Sequence, residues 1–165
     1  LIMPILGYSQ SQYLKLIEKG KYSKADKKIE KSLEKNSADI ELTYYKAMLY
    51  MESGFKKYDT KKSYRLLMDS RDSYKKITDE KELKKLSKIP IDISIYNNYI
   101  DTVCVRALVD AVEINTEEAY IDYLNYFSLM PNKCNKIAIE NRNKVAFDDA
   151  YKKNTSESFQ NFMIK

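Results

Sequence analysis

The side chains able to do chemistry are few and poorly gathered. Asp148-Asp149 and Arg71-Asp72 each set two charged groups side by side, and a converging pair of that kind would suit acid–base work. Neighbours in sequence point about 100° apart on a helix, however, so neither pair is expected to meet at one substrate atom. Both read as surface charge. The chain has no His, which removes the commonest general base and the commonest metal ligand. Cys104 and Cys134 are its only cysteines and lie outside any Cys-x-x-Cys spacing, so no zinc site is expected. In an exported protein the two would be able to pair as a disulfide. Cys104 sits inside an apolar stripe, where a buried free thiol is the commoner finding. Gly7, Gly20 and Gly54 are the only glycines, and none belongs to a phosphate-cradling loop. The expectation is therefore a chain without catalysis, cofactor or metal.

Binding is the remaining class. Lys24, Lys27, Lys28, Lys31 and Lys35 form a basic stripe on one predicted helix. It would suit an acidic partner or a lipid surface. Glu30 and Glu34 stand close enough to pair with it, so the simpler reading is a solvated outer face. The net charge of +5 is spread along the chain with no basic block, and nucleic acid is not an expected partner. The fifteen tyrosines carry more information. Tyr suits a half-buried helix face and is favoured at interfaces. Tyr44, Tyr45, Tyr50, Tyr120, Tyr123 and Tyr126 are mostly expected in core and inter-repeat packing, with Tyr44 and Tyr45 the candidates for a groove that meets a partner.

The elements that would position these residues are helices. The chain of 165 residues is 44% hydrophobic and 32% charged, with only three Gly and three Pro. That is the composition of a folded chain with long helices and short loops, since a β-rich fold would need more turn residues. Asp59-Thr60 predicts the start of a helix running to about Ile77, and Asp79 with Glu82 a capping box for a short helix ending near Lys88. Pro90 breaks the pattern. From about Asp92, Tyr96, Tyr99, Ile100, Val103, Ala107, Leu108 and Ala111 form an apolar stripe with a period near 3.6.

Two internal repeats stand out. Gly20 and Gly54 are 34 residues apart, each after an amphipathic run, Ser11–Lys19 and Asp39–Ser53. After Gly20 come Tyr22 and Ala25. This arrangement resembles the tetratricopeptide repeat, in which a glycine ends the first helix, an aromatic follows two residues later and a small residue opens the second helix. Physically, Gly ends a helix in the left-handed conformation, Tyr22 would wedge between the helices, and Ala25 would let them approach. Thr43 and Lys46 stand where the family usually has Trp and Leu, and Ser37 where it has Pro. The resemblance covers roughly residues 11–77.

The second repeat has an offset of 39 residues. Residues 111–124 align without a gap on 150–163, and Asn115, Thr116, Tyr120 and Tyr123 fall on Asn154, Thr155, Phe159 and Phe162. Each Asn is expected to end one helix in the left-handed region, and each Thr to cap the next, with Glu118 and Glu157 near its positive end. This unit looks like the divergent tetratricopeptide-like repeats of exported Gram-negative proteins, and Met130-Pro131 would be the turn that follows the first copy.

The resemblance implies an all-α fold: about eight or nine helices as antiparallel hairpins, stacked in a right-handed solenoid. Three segments are expected. Residues 1–10 read as the end of a secretory signal peptide, with cleavage before Gln10, or as an apolar lead-in packed on the first helix. Residues 11–77 hold two tetratricopeptide-like hairpins. Residues 78–165 hold the Asn-Thr repeats, which are expected to continue past Lys165. No stretch reaches the roughly 18 apolar residues of a membrane span. The implied function is a non-catalytic scaffold that binds protein subunits or peptides in the periplasm or at the outer membrane of a Gram-negative bacterium. The alternative is an accessory helical domain of a larger enzyme or cell-wall-binding protein.

Overall fold

The computed structural model describes residues 11–86, 91–127 and 133–164. The expected leader at residues 1–10, the break at Pro90 and the Met130-Pro131 turn lie outside them. Among the described residues there are nine helices and no strand, so the all-α expectation holds. The chain divides into two compact units, Leu1–Val103 and Cys104–Lys165.

The first unit begins with α1 (Gln12–Glu18), capped by Ser11 Oγ, which accepts from the Tyr13 N–H at 3.3 Å. It ends at Gly20, whose φ of 65° is left-handed. The Gly20 N–H then reaches the Ile17 carbonyl and the Lys21 N–H the Leu16 carbonyl, which is the Schellman arrangement that satisfies a helix C-terminus. The chain turns directly into α2 (Tyr22–Leu33), where Ala25 and Ile29 are fully buried. Asp39 caps α3 (Ile40–Tyr50) and Asp59 caps α4 (Thr60–Lys75), each by accepting a backbone N–H three residues on. In the short α5 (Glu80–Leu86), Asp79 Oδ1 accepts the Lys81 N–H at 2.9 Å.

α1 and α2 run antiparallel, and so do α3 and α4. Tyr13 at the start of α1 meets Ser32 near the end of α2, at 3.1 Å between hydroxyls. Ser63 and Ser70 of α4 donate to the carbonyls of Ala47 and Ile40 of α3, at 2.8 and 3.0 Å. Both serines are buried, and their small side chains let α3 and α4 approach closely. Ile29, Leu49 and Leu67 are fully excluded from water, and each contributes roughly 1.5–3 kcal/mol relative to an exposed side chain.

The boundary between the units falls inside α6 (Ile93–Ile114), whose start is capped by Asp92. In the second unit follow α7 (Glu117–Phe127), α8 (Lys133–Lys153) and α9 (Ser156–Met163). α7 packs on α8, and α8 on α9. The 39-residue offset recurs in the backbone. α6 ends at Ile114 and α8 at Lys153; α7 starts at Glu117 and α9 at Ser156. Asn115 and Asn154 have φ of 52° and 47°, and their N–H groups bond the carbonyls of Ala111 and Ala150. Thr116 Oγ1 accepts from the Ala119 N–H at 3.2 Å and Thr155 Oγ1 from the Ser158 N–H at 3.1 Å. The second turn gains a full capping box, because Ser158 Oγ accepts the Thr155 N–H in return.

Candidate partner-binding surface

Tyr44 and Tyr45, expected at a partner surface, lie in the core. They are only 3% and 2% exposed. Two adjacent residues of α3 are both buried because different neighbours enclose them. Tyr44 meets Tyr96 and Tyr99 edge-on, with centroids 5.4 and 5.5 Å away, and Tyr45 faces Tyr13 at 6.1 Å. The Tyr96 hydroxyl shares a 2.6 Å hydrogen bond with Ser70 Oγ. Burial holds the Tyr44 hydroxyl far above its ordinary pKa, and it pushes Tyr45 and Tyr96 up to about 12. These tyrosines are packing groups that stay neutral at physiological pH.

Gly54 also departs from its expected role. Its φ is not positive, and α3 has already ended at Tyr50, with Met51 as its C-cap. What requires glycine is proximity: a Cβ there would stand 2.9 Å from Tyr22 Cε2. Tyr22 in turn reaches across to the segment after α3, bonding Glu52 Oε2 at 3.2 Å and facing Phe55 at 6.3 Å. Burial and the Glu52 carboxylate both raise its pKa. Gly20 and Gly54 thus share a residue type and a spacing but not a job. Ala25 does occupy a tightly packed position.

With Tyr44 and Tyr45 turned inward, the open surface of α3 belongs to other residues. Thr43 and Lys46 line a shallow groove with Leu66 and Asp69 of α4 and with Leu33 and Ile40. It holds about 260 Å³ and is open to solvent. Lys46 and Asp69 add one charge of each sign. Sequence reasoning missed this groove, although Ser63 and Ser70 at heptad spacing were a legible sign that another helix packs closely on α4.

Asp26 is buried, and its Oδ2 accepts from Lys57 Nζ at 2.7 Å. The bond to Asp26 raises the Lys57 pKa. Glu30 joins the network with Lys57 and Lys46, each at 3.7 Å. Of the basic stripe, Lys24, Lys27, Lys28, Lys31 and Lys35 are all exposed. Arg71 is buried and donates to Asn97 Oδ1 at 3.3 Å, while Asp72 stays at the surface near Lys75. Asp148 and Asp149 are exposed, and Asp149 pairs with Lys152. Cys104 and Cys134 are both buried, and no disulfide joins them. Among the described residues no three His, Cys, Asp or Glu gather where a metal ion would be held, and no helix is long and apolar enough to cross a membrane.

What the residues define at this point is an all-helical chain with an open, mixed-polarity groove. No family model matches this chain, and no curated protein or solved structure matches it significantly.

Proposed function

We propose that this chain is a non-catalytic protein–protein interaction module, a scaffold that holds peptides or partner subunits. In this reading its hairpins form a right-handed, tetratricopeptide-like solenoid. The chain is exported and serves an assembly in the periplasm or at the outer membrane of a Gram-negative bacterium. The observation that carries the reading is the groove beside α3, together with the packing of α1 on both α2 and α3. A helix that touches its hairpin mate and the first helix of the next hairpin is what stacked repeats require, and such stacks present extended surfaces to their partners.

The test is a photo-crosslinking residue at Thr43, in protein expressed in its native host. A discrete adduct with one envelope protein is expected, lost on Asp69→Lys and absent when the crosslinker stands at exposed Lys27. Equal adducts from Thr43 and Lys27, or none from Thr43, would overturn the groove as the contact. Export has its own test: N-terminal sequencing of the native protein should begin at or near Gln10, and an intact Leu1 preceded by further cytosolic sequence would refute it.

A further inference from the structure

The acids and the lysines of α2 are sorted to different sides of the helix. Asp26 is buried and bonds Lys57 Nζ at 2.7 Å, and Glu30 reaches Lys57 and Lys46, each at 3.7 Å. Both carboxylates are thus engaged by α3 and the loop after it, and do not neutralise the basic stripe as their spacing suggested. Lys24, Lys27, Lys28, Lys31 and Lys35 recur at intervals of three and four, on one face, and all are exposed. Among the described residues none of these five takes part in an ion pair.

The basic face widens onto α1. Lys28 Nζ donates to Gln12 Oε1 at 3.1 Å, which sets the Gln12 side of α1 beside it. Lys15 and Lys19 follow Gln12 by three and seven residues, share its side of the helix and are exposed. The exposed acids of this stretch are Glu18 and Glu34, the latter the C-cap of α2. Lysines at this spacing have Cβ atoms about 5–6 Å apart, inside the Debye length of about 10 Å at 0.1 M salt. Their potentials therefore add into one positive field.

The chemistry of the face selects what would meet it. Protein interfaces are enriched in aromatics and Arg and depleted in Lys, and nucleic-acid surfaces add Arg contacts to bases and aromatic stacking. α1 and α2 contain no Arg. Their aromatics are turned elsewhere, Tyr13 to Ser32 and Tyr45, and Tyr22 to Glu52 and Phe55. What remains is a set of flexible point charges without directional or stacking groups. That suits a fluid layer of anionic headgroups, which rearranges under the lysines, and clusters of four to eight Lys on a helix bind acidic bilayers in this way. We propose that the outer face of α1 and α2 docks the chain on an anionic phospholipid membrane, by charge and without insertion. The groove beside α3 plays no part in this, so the two readings fail separately.

The test is co-sedimentation of the whole chain with vesicles of phosphatidylcholine, alone or mixed in equal parts with phosphatidylglycerol. Binding to the mixed vesicles is expected to be at least tenfold tighter than to phosphatidylcholine, and lost near 1 M salt, where the Debye length falls to about 3 Å. Lys24→Glu with Lys28→Glu and Lys31→Glu should weaken it at least tenfold. Lys136→Glu with Lys144→Glu and Lys153→Glu, the same charge change at exposed sites of α8, should leave it within twofold. Circular dichroism verifies that both variants fold, and Lys→Gln at the same three α2 positions repeats the test without added repulsion. Equal binding to the two vesicle types, or equal weakening by the α2 and α8 variants, would overturn the proposal. So would duplex DNA or polyglutamate binding as tightly as the mixed vesicles and losing that binding in the α2 variant, because the face would then take any polyanion.

Discussion

The ring of Tyr22 lies so close to Gly54 that a Cβ on the glycine would come within 2.9 Å of Tyr22 Cε2. The two residues are 32 positions apart and join the start of α2 to the loop after α3. Gly54→Ala should displace the ring, weaken the Tyr22–Glu52 hydrogen bond and destabilise the chain by about 1 kcal/mol. In a Tyr22→Ala background the same change should be neutral or slightly stabilising, because the obstacle is gone and glycine no longer adds entropy to the unfolded chain. Urea denaturation of the four-member cycle measures the coupling. Strict additivity would show that the contact does not matter. Gly20→Ala should act differently: its neighbourhood is open, and the loss of about 1–2 kcal/mol comes from the left-handed backbone alone.

The two Asn-Thr turns should respond unequally to Asn→Gly. Glycine suits the left-handed φ at both sites, but Asn115 Oδ1 also accepts from the Tyr120 hydroxyl at 2.9 Å. At the second turn the matching residue is Phe159, which has no hydroxyl to satisfy. Asn154→Gly should therefore change stability by only a few tenths of a kcal/mol, while Asn115→Gly should cost about 1–3 kcal/mol by leaving a buried hydroxyl unpaired. Equal effects in thermal unfolding would sink the assignment.

High pH should unfold the first unit through its tyrosines. The folded-state pKa values of Tyr45 and Tyr96 are raised to about 12, above the ordinary value of about 10 in the unfolded chain. A raised folded value means the stabilisation is complete below pH 10 and is lost as pH rises towards 12. Stability should fall by on the order of 1–3 kcal/mol across that window, and part of the tyrosinate absorbance should appear only with the loss of helical signal. Full titration of all fifteen tyrosines in a chain that is still folded would contradict this.

Lys57→Met should be more harmful than its exposure suggests. The Lys57 side chain is 53% exposed, but that of its partner Asp26 is only 7% exposed, and Asp26 Oδ1 has no hydrogen-bond partner among the described residues. Removing the ammonium leaves a buried carboxylate uncompensated, at a cost of about 1–3 kcal/mol. Replacing both groups, as Asp26→Leu with Lys57→Met, should recover most of that loss. If the single and double variants melt alike, the ion pair is not what holds the loop to α2.

Helices and their ends were legible in the amino-acid sequence because the forces that set them act within a few residues. Asp39, Asp59, Asp92, Thr116 and Thr155 cap helices through their own side chains. Gly20, which has no Cβ to clash, and Asn115 and Asn154, whose short side chains tolerate it, turn the backbone left-handed. The 39-residue recurrence was visible for the same reason. Which face of each helix is covered was not legible, since that depends on residues far away in the chain. Tyr44 and Tyr45 looked like surface aromatics until Tyr13, Tyr96 and Tyr99 closed over them. Gly54 matched a helix-ending pattern, yet its requirement comes from the Tyr22 ring. Asp26 sat within a run of lysines and is nevertheless buried under Lys57. Tyr120 and Phe159 are alike in sequence and in turn geometry but differ in burial, because side-chain burial is set by the helices that pack around a residue and not by its own helix.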